Sequence, residues 1–220
     1  MVKETKSATP PGSPACTLCH VKACAAEPGA KQPPSFCATQ QEQAILEAVE
    51  QRYVEDPRLR LLAQESARTE ASGYMRRTRI EDTMDFARRI GATRIGIAHC
   101  IGLIEEARIA AEIFRAGGFE VPSVCCKVGS IPKEKVGLQD GEKVRPGTFE
   151  PLCNPVGQAE LLAKAGTQLN VVIGLCVGHD SLFFMHSAAP VTVLVAKDRV
   201  LGHNPVAALY TAHSYYQRLK

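Results

Sequence analysis

Apolar residues recur at two different periods along this chain, and the change of period divides it. Between residues 40 and 54 the apolar positions Ala44, Ile45, Ala48, Val49 and Tyr53 repeat at helical spacing, which predicts an amphipathic helix. A second helix is expected after Pro57. A third opens at Thr78, where Glu81 completes a capping box, and closes at Gly91. Beyond Gly91 the pattern changes to short apolar runs alternating with helical stretches. ATRIGIAHC, SVCCKV, LNVVIGLC and VTVLVA read as strands. Residues 103–116, 155–165, 181–187 and 205–218 read as helices, with Gly117-Gly118 and Gly166 as stops.

Apolar strands separated by helices call for a parallel sheet covered on both faces. The expected fold is therefore α/β, a small parallel four-strand sheet of flavodoxin-like or half-Rossmann type. Pro122 beside the second strand argues for an edge position, as the order 2-1-3-4 requires. Residues 1–15, rich in Pro, Ser and Thr, read as a flexible leader, and 16–39 as a four-cysteine metal knuckle. Residues 40–91 form a helical segment expected to pack on the sheet domain, and 92–220 form the α/β domain itself. The polar stretch 129–152 has the length of a functional loop and is expected to cover the site.

Composition narrows the function. The 220 residues, 45% hydrophobic and 22% charged, suit one sizeable folded domain with an appendage. A net charge of +3, from 26 basic and 23 acidic side chains, is too balanced to argue for nucleic acid or an anionic membrane. The longest apolar run, LNVVIGLCVG, is far short of a membrane span. The first residues, MVKETKSATPPGSPAC, lack the apolar stretch of a signal peptide, so a cytoplasmic location is expected.

The nine cysteines change the picture most. In a reducing cytosol, clustered thiols bind metal or do redox chemistry more often than they form disulfides. Four lie in the spacing Cys16-x2-Cys19-x4-Cys24-x12-Cys37. A Cys-x2-Cys pair presents two thiolates to one ion from a tight turn, and two later cysteines complete a tetrahedron, with His20 a substitute ligand. Zinc or a second iron–sulfur cluster suits this set.

A further set lies on the sheet. Cys100, Cys125 and Cys176 fall at the carboxyl ends of expected strands, and Cys153 precedes Asn154-Pro155, an N-cap and first-turn proline. In an open parallel sheet those positions share one rim, where ligands bind. Cys125 and Cys126 point to opposite sides of their strand, so one of them joins the rim, Cys125 by preference. His99, Lys127, His179, Asp180 and His203 crowd the same rim, with Lys197-Asp198-Arg199 ending the fourth strand. They are candidates for acid–base work or anion binding.

YMRRTRIED, GIAHCIGL, CCKVGSIPKE, KVRPGTFEPLCNP, GLCVGHDSLF and KDRVLGHNPVAALYTAHSYY, with the N-terminal cysteine cluster, carry a resemblance over nearly the whole chain. They resemble an uncharacterised domain-of-unknown-function family of predicted metal-binding proteins, found mainly in anaerobic bacteria and archaea. The resemblance implies metal binding and an anaerobic setting, with no established reaction, and that setting favours iron–sulfur over zinc at the sheet. The expected function is a cysteine-rich protein with a 4Fe-4S cluster at the sheet rim, for redox or small sulfur-compound chemistry. Its expected partner is a small anion or thiol, or a redox protein. The alternatives are a metal carrier or sensor, or a zinc-stabilised binding module. GxGxxG and P-loop patterns are absent, which argues against a nucleotide site.

Overall fold

A computed structural model describes residues 13–220. The expected leader lies outside the described residues except for 13–15. The chain divides into two compact units, Met1–Gln64 and Glu65–Lys220. The boundary falls inside a helix, so the expected helical segment 40–91 belongs partly to each unit.

In the first unit, 3-10 turns Cys16–Leu18 and Ala23–Ala25 precede α1 (Ala38–Gln41), α2 (Gln43–Glu55) and the start of α3 (Pro57–Gly73). Asp56 fixes that start: its Oδ1 accepts from the Arg58 and Leu59 amides at 2.9 and 3.1 Å, with Pro57 in the first turn. Among described residues 13–64, only Ala15 is buried.

The second unit holds the core. The end of α3 buries Glu65, Thr69 and Gly73. In α4 (Arg79–Arg89) the expected capping box forms, the Thr78 amide donating to Glu81 Oε2 at 2.7 Å. Then follow β1 (Ile95–His99), α5 (Ile104–Ala116), β2 (Ser123–Cys125), α6 (Pro155–Lys164), β3 (Leu169–Ile173), α7 (His179–His186), β4 (Val191–Val195) and α8 (Val206–Tyr210). The strands form one parallel sheet in the order β2-β1-β3-β4, as the apolar pattern and Pro122 predict. Pro122 lends only its carbonyl, to the Ile97 amide at 2.9 Å, which an edge position permits.

Helices cover both sides of the sheet, α5 packing on β1, and α6 on β1 and β2 with α7 against it, the arrangement that right-handed crossovers give this strand order. The middle strands β1 and β3 are buried along their whole length. Ile95, Ile97, Phe114, Leu162, Val171, Ile173 and Phe183 fill the two layers around them. The register levels His99 with Cys125 and Ile173, and Ile173 with Val195, so the four strands end on one rim. No helix among the described residues is long and apolar enough to cross a membrane.

Two sequence expectations change. The last helix, expected over 205–218, stops at Tyr210. The Thr211 hydroxyl donates to the Ala207 carbonyl at 2.7 Å and the Tyr216 amide turns back to the Thr211 carbonyl, so side-chain and turn bonds replace the helical ladder. The stretch 129–152 is a closed strap with its own structure. An antiparallel bridge joins Pro132 to Pro151, Lys133 pairs with Glu150, and Lys143 lies between Glu134 and Asp140.

Candidate functional site

The rim is assembled from backbone hydrogen bonds that draw distant cysteines together. Where β1 ends, the Cys100 amide donates to the Ile173 carbonyl at 3.0 Å, and Cys100 caps the 3-10 turn Ile101–Leu103. Two consecutive amides of that turn each hold a sulfur: Ile101 N–H donates to Cys126 Sγ at 3.3 Å and Gly102 N–H to Cys100 Sγ at 3.4 Å. Cys126 leaves β2 with its own amide on the His99 carbonyl at 2.8 Å. Its carbonyl accepts from the Asn154 amide at 2.7 Å, which brings in Cys153. Lys127 Nζ, donating to the Pro151 carbonyl at 2.6 Å, pins the base of the strap at the same point. Asn154 Oδ1 accepts from the Gly157 amide at 2.9 Å, so the expected N-cap and proline of α6 are both in place.

Cys176 arrives from β3 through Gly174, whose φ is +64°. A Cβ there would stand 2.9 Å from the Leu103 methyls, so only glycine passes between β3 and the Cys100 turn without displacing one of them. The Cys176 carbonyl then accepts from the His179 and Asp180 amides at 2.9 and 3.1 Å, starting α7. Arg199 Nη2 donates to Cys176 Sγ at 3.1 Å, and its charge also acts on Cys100 and Cys153. The loop carrying Arg199 is tightly closed. Asp198 Oδ1 accepts from the Val200 and Leu201 amides, both at 2.9 Å, and His203 Nδ1 accepts from the Asp198 amide at 3.1 Å. Lys197, at the root of this loop, reaches Cys100.

Charge is distributed unevenly over the thiols. The Cys126 S–H, donated to Cys100, pushes the Cys100 thiol down to about 4; burial opposes this, and the Gly102 amide and Lys197 add to it. Cys153 is pushed down to about 5, first by the Cys126 S–H, against burial, and then by Lys127 and His179. Cys126 itself is pushed up, because its proton bonds both neighbours and burial adds to the effect. Cationic side chains and aimed amides are the surroundings that make thiols nucleophilic and metal-ligating.

Cys100 and Cys153 thus meet at the rim with Cys126, while Cys125 stays in the edge strand opposite His99. β2 ends at Cys125, and it is Cys126, the next residue, whose sulfur accepts from the Ile101 amide of the Cys100 turn. His99 is buried and its Nδ1 lies 3.1 Å from the Cys100 carbonyl, so that nitrogen carries the proton. Lys127 and His179 stand beside Cys153, and the His179 Nδ1 is buried without a hydrogen-bond partner. Asp180 accepts from the Ser181 amide at 2.8 Å and His203 closes the loop after β4, so both serve local turns. Sequence reasoning missed Gln158. Fully buried on α6, it donates from Nε2 to the His99 and Val124 carbonyls at 3.2 and 2.7 Å and clamps β1 to β2.

The other four cysteines lie in the first unit. Cys16 and Cys19 flank one 3-10 turn, Cys24 sits in the next, and Cys37 precedes α1. Burial raises the Cys37 thiol, but hydrogen bonds from Thr39 and Gln40 outweigh it and lower the thiol below its ordinary value. All nine cysteines are free thiols. Among the described residues, no three His, Cys, Asp or Glu side chains are grouped to hold a single ion. The donor chemistry at the rim nevertheless fits a thiolate-ligated centre: soft sulfur donors, amides aimed at sulfur, and Lys127, Lys197 and Arg199 to offset negative charge.

An uncharacterised protein of Methanocaldococcus jannaschii, MJ0455, is 40% identical over 204 residues, covering 93% of this chain and 97% of the relative. The family profile described as "Protein of unknown function (DUF1847)" matches residues 37–194. That span takes in the rim thiols and Cys37 but leaves Cys16, Cys19, Cys24 and His203 outside, so the family match is narrower at both ends than the sequence resemblance implies. The chain belongs to the DUF1847 family of proteins of unknown function.

Proposed function

We propose that this is a redox protein whose sheet rim holds an iron–sulfur cluster, with Cys100, Cys126, Cys153 and Cys176 as ligands. The observation that supports this reading is one rim on which Cys100 and Cys126 follow β1 and β2 and Cys153 precedes α6, linked by the Ile101 amide on Cys126 Sγ and the Asn154 amide on the Cys126 carbonyl, with Arg199 on Cys176 Sγ. When bound, a cluster supplies a one-electron centre tuned by nearby charge and hydrogen bonds. The Ile101 and Gly102 amides orient two sulfurs, and Lys127, Lys197 and Arg199 offset thiolate charge. His179, with Nδ1 free of partners beside Cys153, is placed to give or take a proton from a small thiol or anion at this edge. In the first unit, Cys16, Cys19, Cys24 and Cys37 take zinc or a second cluster, which orders a segment that has almost no core.

Anaerobic purification followed by iron, sulfide and zinc analysis and a visible spectrum tests this reading. Iron and sulfide together, lost in Cys126→Ser and kept in Cys125→Ser, are the expected result. Zinc alone, or a cluster that survives Cys126→Ser unchanged, overturns it.

A further inference from the structure

The apolar side chains of α2 are left uncovered by its own chain. None of its 13 residues is buried, and Tyr53 and Val54 in its last turn are 45% and 58% exposed. A helix of this length is marginal in water unless packing covers its apolar stripe. Asp56, extended at φ −83° and ψ 109°, ends α2, and Pro57 begins α3 at once. The Arg60 Nη1 donates across this junction to the Val54 carbonyl at 2.9 Å. Between the two helices lies an open groove of about 540 Å³, lined by Glu50, Tyr53, Val54, Arg60, Ala63 and Gln64. All six residues belong to the first unit.

Charge decides what fits there. α2 carries the exposed acids Glu47, Glu50 and Glu55 against the single base Arg52, a net charge of −2. The start of α3, residues 57–64, carries the exposed Arg58 and Arg60 and no acid, a net charge of +2. One chain thus presents both halves of a complementary contact, an acidic helix with apolar side chains and a basic groove with an apolar wall. Two copies related by a two-fold axis bring these halves together twice. Two α2 helices laid face to face would oppose like charges instead, which disfavours that pairing. A small ligand is held by enclosure, and an open groove does not supply it. We propose that a second copy of this chain docks at the α2–α3 junction in an isologous dimer. Tyr53 and Val54 of each copy enter the other's groove, and Glu50 of each faces the partner's Arg60. The contact is separate from the sheet rim and does not depend on what the rim binds.

Sedimentation velocity of the full-length protein, purified anaerobically and run from low to high micromolar concentration, tests this. The wild type should pass from monomer to dimer as concentration rises, and added salt should weaken the dimer. Tyr53→Glu, at an exposed position, should keep its circular dichroism and stay monomeric. Arg60→Glu sets two acids against each other and should weaken association about tenfold or more. Adding Glu50→Arg to the same chain exchanges the charges and should restore the dimer. Should Arg60→Glu disturb the junction it helps to hold, Tyr53→Glu and the salt series decide alone. A wild type that is monomeric throughout would leave the face to a different protein and overturn the proposal. A dimer undiminished by Tyr53→Glu would overturn it too, as would a loss in a folded Arg60→Glu protein that Glu50→Arg does not reverse.

Discussion

The two cysteine sets stand in opposite surroundings. Those at the rim are held by a finished scaffold: buried strands beneath, consecutive amides on two sulfurs, and a guanidinium on a third. Those of the first unit lie on 3-10 turns and a helix start where Ala15 is the only buried residue described. A side chain in the second unit contributes to a core whether or not a ligand binds. In the first unit little apolar surface leaves water, so the proposed metal there would supply ordering that a core does not. The difference teaches that equal cysteine counts do not mean equal roles.

The sharpest way to break this comparison is to cut into each unit's apolar side chains. Phe114 is fully buried between α5 and the sheet, so Phe114→Ala should cost about 3–5 kcal/mol and shift denaturant unfolding of the second unit strongly. Ile45 on α2 is 60% exposed, and Ile45→Ala should change stability by no more than about 0.5 kcal/mol. An equal loss from both substitutions, followed by circular dichroism, would erase the distinction.

Replacing Cys16 and Cys19 with serine should come next in size. Limited proteolysis is expected to cut within residues 13–37 while the thermal transition of the sheet unit stays in place. Loss of the proposed sheet-site metal in the same variant would join the two proposed sites into one system.

Gly174→Ala puts a Cβ against Leu103 at a backbone angle suited to glycine, and a cost of about 1–3 kcal/mol is expected. Because Cys176 follows two residues later, its alkylation should also change. Unaltered melting and Cys176 labelling would remove Gly174 from the account.

The smallest effect is one of pH. The folded value of Cys153, about 5, lies below its unfolded value, so its thiolate favours the folded state at high pH. That contribution is complete only above the unfolded value and fades as pH falls toward about 5. Alkylation of Cys153 in metal-free protein should accordingly vary little from about pH 6.5 to 8, while a small reference thiol reacts roughly tenfold faster per pH unit there. A Cys153 rate that climbs in parallel with the reference would contradict the charge distribution drawn for the rim.

Much of the sheet unit is legible in the sequence because its signals are local and agree with one another. Four apolar runs, the Asn154-Pro155 start and Pro122 together specify strand count, order and rim. Cys100, Cys153 and Cys176 could be placed on that rim because strand ends and helix starts coincide there. Which of Cys125 and Cys126 turns toward the Cys100 turn was harder to read, since one residue of strand length decides it and propensity does not fix strand ends so finely. The attachment of Arg199 to Cys176 depends on the Asp198–His203 loop, a tertiary closure with no periodic signal. The short α8 depended on Thr211 and Ser214 bonding backwards, which the apolar pattern conceals.

Hydrogen exchange on the full chain, compared before and after anaerobic chelation, addresses the contrast between the units most directly. Amides of β1 and β3 should keep their protection without metal, because the core beneath them is complete, while amides of residues 16–37 should lose theirs. Protection lost equally from the sheet and the N-terminal turns, or from neither, would contradict the account.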